Sequence, residues 1–249
     1  MTKPILAGLG LLMLAAGPAA AQDAYMSPMD FSTQSQALTS SVIDGLSVEE
    51  TARGERRGRS ARASTPRQRA ARTSAATPRA SDARLPFVST PASRKRAVDA
   101  YLAGVARSSP KEAAAITAGF QGRDITGEMQ AAMRKPGLDV NDTADIMATF
   151  LAIGWETITG GDATQAQMKG LRRQVAGNLL VNPAMKNPDT RTRVGEELKV
   201  SAFAVGTSAA AAKRDGRLES FRRGIAQFYR QQTGLDLARL RMTPAGLVP

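Results

Sequence analysis

From Leu85 to Gly234 the apolar residues recur at intervals of three and four, in runs punctuated by capping residues, Gly and Pro. That period belongs to helices buried along one face, and no stretch alternates at two residues as a half-buried strand would. Thr90-Pro91 opens a first segment carrying Val98, Tyr101, Leu102 and Val105. Ser109-Pro110-Lys111-Glu112 has the spelling of a capping box ahead of Ala113, Ile116 and Phe120. A shorter run with Met129 and Met133 stops at Pro136-Gly137. Asn141-Asp142-Thr143 begins the next, with Ile146, Met147, Phe150, Leu151, Ile153 and Trp155, ended by Gly160-Gly161. Asp162 and Gln165 read as a cap pair before Met168, Leu171, Val175 and Leu179. Asn187-Pro188 starts the longest segment, through Phe203 and an alanine run to Asp215-Gly216, and Leu218 to Phe228 form the last. Seven helices joined by short connections predict an all-α bundle over residues 87–249. The closing Met242 to Pro249 carries apolar residues without periodicity and reads as an extended strap across the bundle.

Composition agrees with this class and removes much chemistry. Aromatics make up 4% of the chain, while Ala, Leu, Met and Arg abound, which favours helix over sheet. There is no Cys and no His, so thiol nucleophiles, disulfides, imidazole bases and the usual zinc ligand sets are all excluded. A core must supply the stability. What is left for catalysis is carboxylate, hydroxyl and lysine chemistry, and the sequence favours binding over reaction; no cofactor is indicated.

Upstream of the helices the chain divides by charge. Met1 to Pro4 is a short positive start, Ile5 to Ala16 an apolar block of 12 residues, and Ala19-Ala20-Ala21 a small-residue end. This is the pattern of a signal peptide over residues 1–21, too short to span a bilayer at about 20 residues, and it predicts cleavage after Ala21. Without Cys the leader is not that of a lipoprotein, and the mature chain is expected to be periplasmic or secreted. Residues 22–50 carry five acidic groups and no basic one, with Leu38, Val42 and Leu46 suggesting one weak helix. Residues 53–84 hold ten Arg against Glu55 and Asp82, and no aliphatic side chain larger than Ala. Such a stretch cannot bury enough apolar area to offset its ordering entropy, so 51–86 reads as a disordered linker. Its composition alone fits a plain spacer, in a chain with 26 Arg against 8 Lys; as a functional element its arginines suit an anionic envelope component, with another envelope protein as the other candidate partner. Nucleic acid is disfavoured, because no aromatic interleaves the arginines to stack on bases.

Four motifs bear on chemistry. Asp139, Asn141, Asp142 and Asp145 suggest a calcium loop, yet Ala144 stands where the loop needs Gly and Phe150 where it needs Glu; a helix cap explains them. No metal site is therefore expected. Glu156, beside Trp155, is the candidate proton donor of a hydrolase or lyase acting on cell-wall glycan, with Asp162 as its partner carboxylate. With Trp155 buried, a step of 100° along the helix should leave Glu156 at the rim. Ser108 to Lys111 has Ser-x-x-Lys spacing without the companion elements of serine acyl-enzymes, and Ser109 reads as a cap. Arg172-Arg173 and Arg222-Arg223 each follow a core position, and if the two pairs met in space they could clamp a carboxylate or phosphate.

Gly137-Leu138-Asp139-Val140-Asn141-Asp142-Thr143-Ala144-Asp145, followed by Trp155, resembles a segment of a family of exported bacterial proteins of unknown function. Arg94-Lys95-Arg96 and the closing Met242 to Leu247 are similar to that family's opening and end. The resemblance covers roughly residues 87–249. It implies an all-helical secreted domain and brings no activity, cofactor or catalytic residue.

Overall fold

The computed structural model describes residues 81–249. The expected signal peptide, the acidic segment and most of the basic linker lie outside these residues. Among the described residues there are seven α-helices, as the periodicity predicts: α1 (Pro91–Ser108), α2 (Pro110–Phe120), α3 (Ile125–Arg134), α4 (Thr143–Thr159), α5 (Gln165–Val181), α6 (Pro188–Arg214) and α7 (Leu218–Thr233). Short 3₁₀ turns at Pro183–Lys186 and Leu237–Arg239 precede α6 and a C-terminal hairpin, β1 (Arg241–Thr243) and β2 (Gly246–Val248).

Caps set most of the boundaries. Thr90 and Ser93 form a reciprocal box at the start of α1. Ser109 closes α1 with its backbone N–H and opens α2 with its side chain, so one residue serves two helix ends. Asn187 caps α6, which at 27 residues is about 40 Å long. Helix α5 is capped by Thr164 and Gln167, two residues beyond the expected pair of Asp162 and Gln165.

Helix α4 runs through the middle. Every residue from Thr143 to Thr157 except Trp155 is buried, because α5, α6 and α7 all pack on it. At Gly154 the packing admits no side chain: a Cβ there would run into the ring of Tyr229. That ring packs on Phe150, with centroids 4.7 Å apart, and its hydroxyl donates to the Phe150 carbonyl at 2.6 Å. The small residues of α6, among them Ala202, Ala204 and Ala209, are buried in the same interior.

The C-terminal residues form a hairpin rather than an extended strap. Met242 pairs with Leu247, and both strands lie along α5. Gln174 accepts from Leu247 N and donates to Leu247 O, both at 2.9 Å, so one side-chain amide replaces a neighbouring strand. Gln167 donates to Met242 O, and Trp155 Nε1 to Leu240 O.

Candidate functional site

Two buried charge clusters flank the start of the helical domain. The first is built on Asp142, whose carboxylate caps α4 by accepting from Ala144 N and Asp145 N. Its other oxygen accepts from Leu85 N at 2.7 Å, and Thr143 N in turn donates to Leu85 O. Phe87 N donates to Asn141 O, so residues 85–87 run along 141–143 as a short antiparallel pairing. Arg172 reaches over from α5. Its Nε donates to Asp145 Oδ1 at 2.7 Å, and its two terminal nitrogens donate to the carbonyls of Ser81 and Ala83. Arg84, the last arginine of the basic stretch, closes the cluster at Asp139 (2.7 Å) and Asp142 (3.2 Å). Three carboxylates thus face two guanidinium groups, and the positive end of α4 offsets the remaining charge. Burial pushes the Asp145 carboxyl up from its usual range, and the Arg172 hydrogen bond pulls it back.

The described end of the expected linker, from Ser81 to Pro86, lies against the helices, and Ser81 N–H donates to Arg173 O at 3.0 Å. The reason is long-range: Arg172 and Asp142 satisfy backbone groups that local composition leaves open.

The second cluster sits behind Phe87. Lys199 and Glu196 of α6 are each 1% exposed and lie 3.1 Å apart. Ser93 Oγ donates to the other Glu196 oxygen at 3.3 Å, and the ammonium stands 5.1 Å from the centre of the Phe87 ring. Gly195 lets that ring lie flat on α6, where any Cβ would strike it. Burial pulls the Lys199 amine below its ordinary value; Glu196 opposes the shift and Arg94 adds to it. Two charges taken out of water seldom stabilise a fold over apolar packing of the same volume, so their presence calls for another account. They border a cavity of about 240 Å³. Helix α1 contributes Arg94, Lys95 and Val98 to its wall, residues 123–126 at the start of α3 contribute Arg123, Asp124, Ile125 and Thr126, with Arg123 held by Glu128, and α6 adds Val200.

The residues singled out in the sequence are dispersed. Arg172 is committed to the clasp, and Arg173 makes one long hydrogen bond to Pro244 O at 3.4 Å. Arg222 donates to Thr157 O and pairs with Glu219, while Arg223 is exposed. Arg172 therefore meets the first turn of α4 and Arg222 its last. Twelve residues of helix separate the two contacts, about 18 Å, so the arginine pairs do not form one clamp. Glu156 does not reach the rim. It is 2% exposed, and its Oε1 accepts from Ala163 N at 2.9 Å, while Trp155 is the partly buried neighbour. Because α4 is enclosed nearly all round, a step of 100° still points inward. Asp162 is exposed. Ser109 is a cap, as its spacing implied. The carboxylates of Asp139, Asp142 and Asp145 are occupied by arginines and backbone amides, and among the described residues no group of acidic side chains is arranged to hold a metal.

The opening segment, the Asp142 cap and the Trp155 helix thus carry the architecture, and a family model covers residues 1–249 with them. The chain belongs to the family of unknown function DUF6683. No curated protein and no solved structure matches this DUF6683 chain. Sequence reasoning passed over Lys199 and read Arg172 as an anion ligand rather than a buried partner, although a signal existed for each. Arg172 falls four residues after Met168 and three before Val175, on the apolar stripe of α5. Lys199 falls three after Glu196 and four before Phe203, on the inner face of α6. Cations at core positions of a helical stripe are the mark of a buried partner.

Proposed function

We propose that this chain is an exported, envelope-associated and non-enzymatic helical domain, held at an anionic surface by its basic segment. The observation that carries the reading is the clasp: the point where the arginine-rich stretch joins the helices is fixed by Arg172 and Arg84 on Asp142 and Asp145. A segment of ten arginines attracts anionic head groups or wall polymers, and a pull on it is delivered to α4 and α5 through these bonds. The leader at residues 1–21 supports export, and among the described residues no helix is long and apolar enough to cross a membrane. The glycan-hydrolase alternative loses its support at Glu156, a buried carboxylate that accepts a hydrogen bond from the loop after α4. A general acid has to reach the glycosidic oxygen.

The test is sedimentation of the full chain with vesicles of anionic lipid, vesicles of neutral lipid, and purified wall sacculi across a salt series. Binding to the anionic surfaces should fall steeply between low salt and 0.5 M, since the Debye length shrinks from tens of ångströms to a few. Replacing Arg53 to Arg79 by Gln should remove it. Binding that ignores both salt and these arginines, or release of glycan fragments, would overturn the reading.

A further inference from the structure

We propose that the cavity between α1, α3 and α6 is a binding site for a small organic oxyanion: a carboxylate or phosphate group on a short apolar substituent. The proposal does not depend on the basic segment and concerns the folded domain alone.

Four observations carry it. An ammonium has three N–H donors, and the buried Lys199 amine faces one carboxylate oxygen and no other acceptor among the described residues. The other oxygen of that carboxylate is already engaged by Ser93. Arg94, on the facing wall, donates to Ser89 Oγ at 3.3 Å and has no carboxylate within ion-pair distance among the described residues. It lies close enough to Lys199 to disfavour that amine's protonation, and since Lys95 is paired with Asp99 and Arg123 with Glu128, Arg94 and Lys199 are the two of the wall's four cations that bear on one space. Third, Thr126 Oγ1 in the first turn of α3 is a buried hydroxyl without a hydrogen-bond partner, and it lines the same cavity. Asp124, the second carboxylate on the wall, turns Oδ1 back onto Gly127 N as the cap of α3.

An oxyanion entering here would meet Arg94 at the wall, and a turn of the Lys199 amine and the Thr126 hydroxyl, both covered just beneath it, would bring their donors to the same group and relieve the repulsion between the two cations. A guanidinium offers two parallel donors to such a group. The cavity's 240 Å³ lies below the range of about 300–1,000 Å³ typical of drug-sized ligands. Val98, Ile125 and Val200 supply apolar wall for a short chain beyond the charged group. These limits describe a small ligand.

The experiment is a titration of the full chain at constant ionic strength with inorganic phosphate and, separately, with butyrate, followed by amide NMR shifts. One saturable site is expected, with shifts centred on residues 94, 126 and 199, for at least one of the two probes; which one responds tells phosphate from carboxylate. Arg94→Gln should weaken it at least tenfold and Thr126→Val several-fold. Neither residue sits in the clasp, and folding of each variant is checked from the unchanged shifts of α4 and α7. A chain with Arg53 to Arg79 replaced by Gln should bind as the parent does, which separates this site from the basic segment. No saturable binding of either probe, binding unaltered by Arg94→Gln, or binding lost with the basic segment alone would overturn the proposal.

Discussion

Arg172 Nε stands 2.7 Å from Asp145 Oδ1, and both side chains are buried. Helix α5 thereby holds the first turn of α4, and the same guanidinium holds the carbonyls of Ser81 and Ala83. Removing the cation in Arg172→Met takes from the buried Asp145 its nearest partner and leaves Asp142 and Asp145 to the half-exposed Arg84 alone, at 3.2 and 3.8 Å. Breaking a buried pair costs about 3–5 kcal/mol, and Arg84 offsets part of that loss here. Urea unfolding should show that loss, and proteolysis should begin at residues 81–87. Arg172→Lys should fall between the two, since a point charge cannot serve three acceptors in a fork.

The buried amine of Lys199 gives the chain an alkaline signature. Because burial lowers its folded value below the ordinary 10.5, the folded chain binds fewer protons than the unfolded chain between those two values. Unfolding takes up a proton there, so stability rises with pH across that window. Below the folded value the contribution is flat. The groups that face it are Glu196 and, at longer range, Arg94 and Asp139. Replacing the pair together, Lys199→Met with Glu196→Gln, removes the amine's titration without leaving a buried charge unpaired. Urea midpoints from pH 7 to 10 should show the parent gaining on the double variant; a constant difference would contradict the burial.

The helices were legible because their caps are local. Thr90, Ser109, Asp142 and Asn187 each satisfy amides within three residues, and such bonds depend only on neighbouring sequence. The hairpin was not legible. Its strands are three residues long, too short to alternate, and its register is held by Gln174, 73 residues away from Leu247. The same holds for both charge clusters. Glu196 and Lys199, three apart on a helix, read as a solvated pair until Phe87 and Ser93 are seen to cover them. Candidate function suffered most, because Glu156 and Arg172 advertise chemistry by residue type while their burial serves architecture.

Gly154 should tolerate nothing larger. Gly154→Ala drives a methyl into the Tyr229 ring between α4 and α7, where neither backbone can retreat without disturbing Phe150. Overpacking of this kind costs about 1–3 kcal/mol. Tyr229→Leu should relieve part of the clash, so the two changes together should cost less than their sum, and a double-mutant cycle on urea midpoints measures the difference. Additive costs would mean that the ring moves freely.

Gln174→Ala should loosen the hairpin and leave the bundle intact. The Leu247 amide and carbonyl lose their partner, and two net hydrogen bonds are worth about 1–3 kcal/mol. Hydrogen exchange at Leu247 N should accelerate on the order of tenfold or more, while the amides of α4 keep their protection. Equal acceleration in both would show that the hairpin and bundle open together.

Glu156 separates an architectural carboxylate from a catalytic one. Its Oε1 accepts from Ala163 N, which ties the loop after Gly160 to the end of α4 and so sets where α5 begins. Gln keeps an acceptor oxygen at that position and Ala does not. Glu156→Gln should therefore shift stability by less than about 1 kcal/mol, whereas Glu156→Ala leaves the Ala163 amide unpaired beside a small void, at about 1–3 kcal/mol. A proton donor would give the opposite ranking in function: both variants would lose activity equally, because the amide cannot give up a proton. Parallel measurement of urea midpoints and of fragment release from wall glycan reads both rankings. The hydrogen bond from Ala163 predicts that only the stabilities will differ.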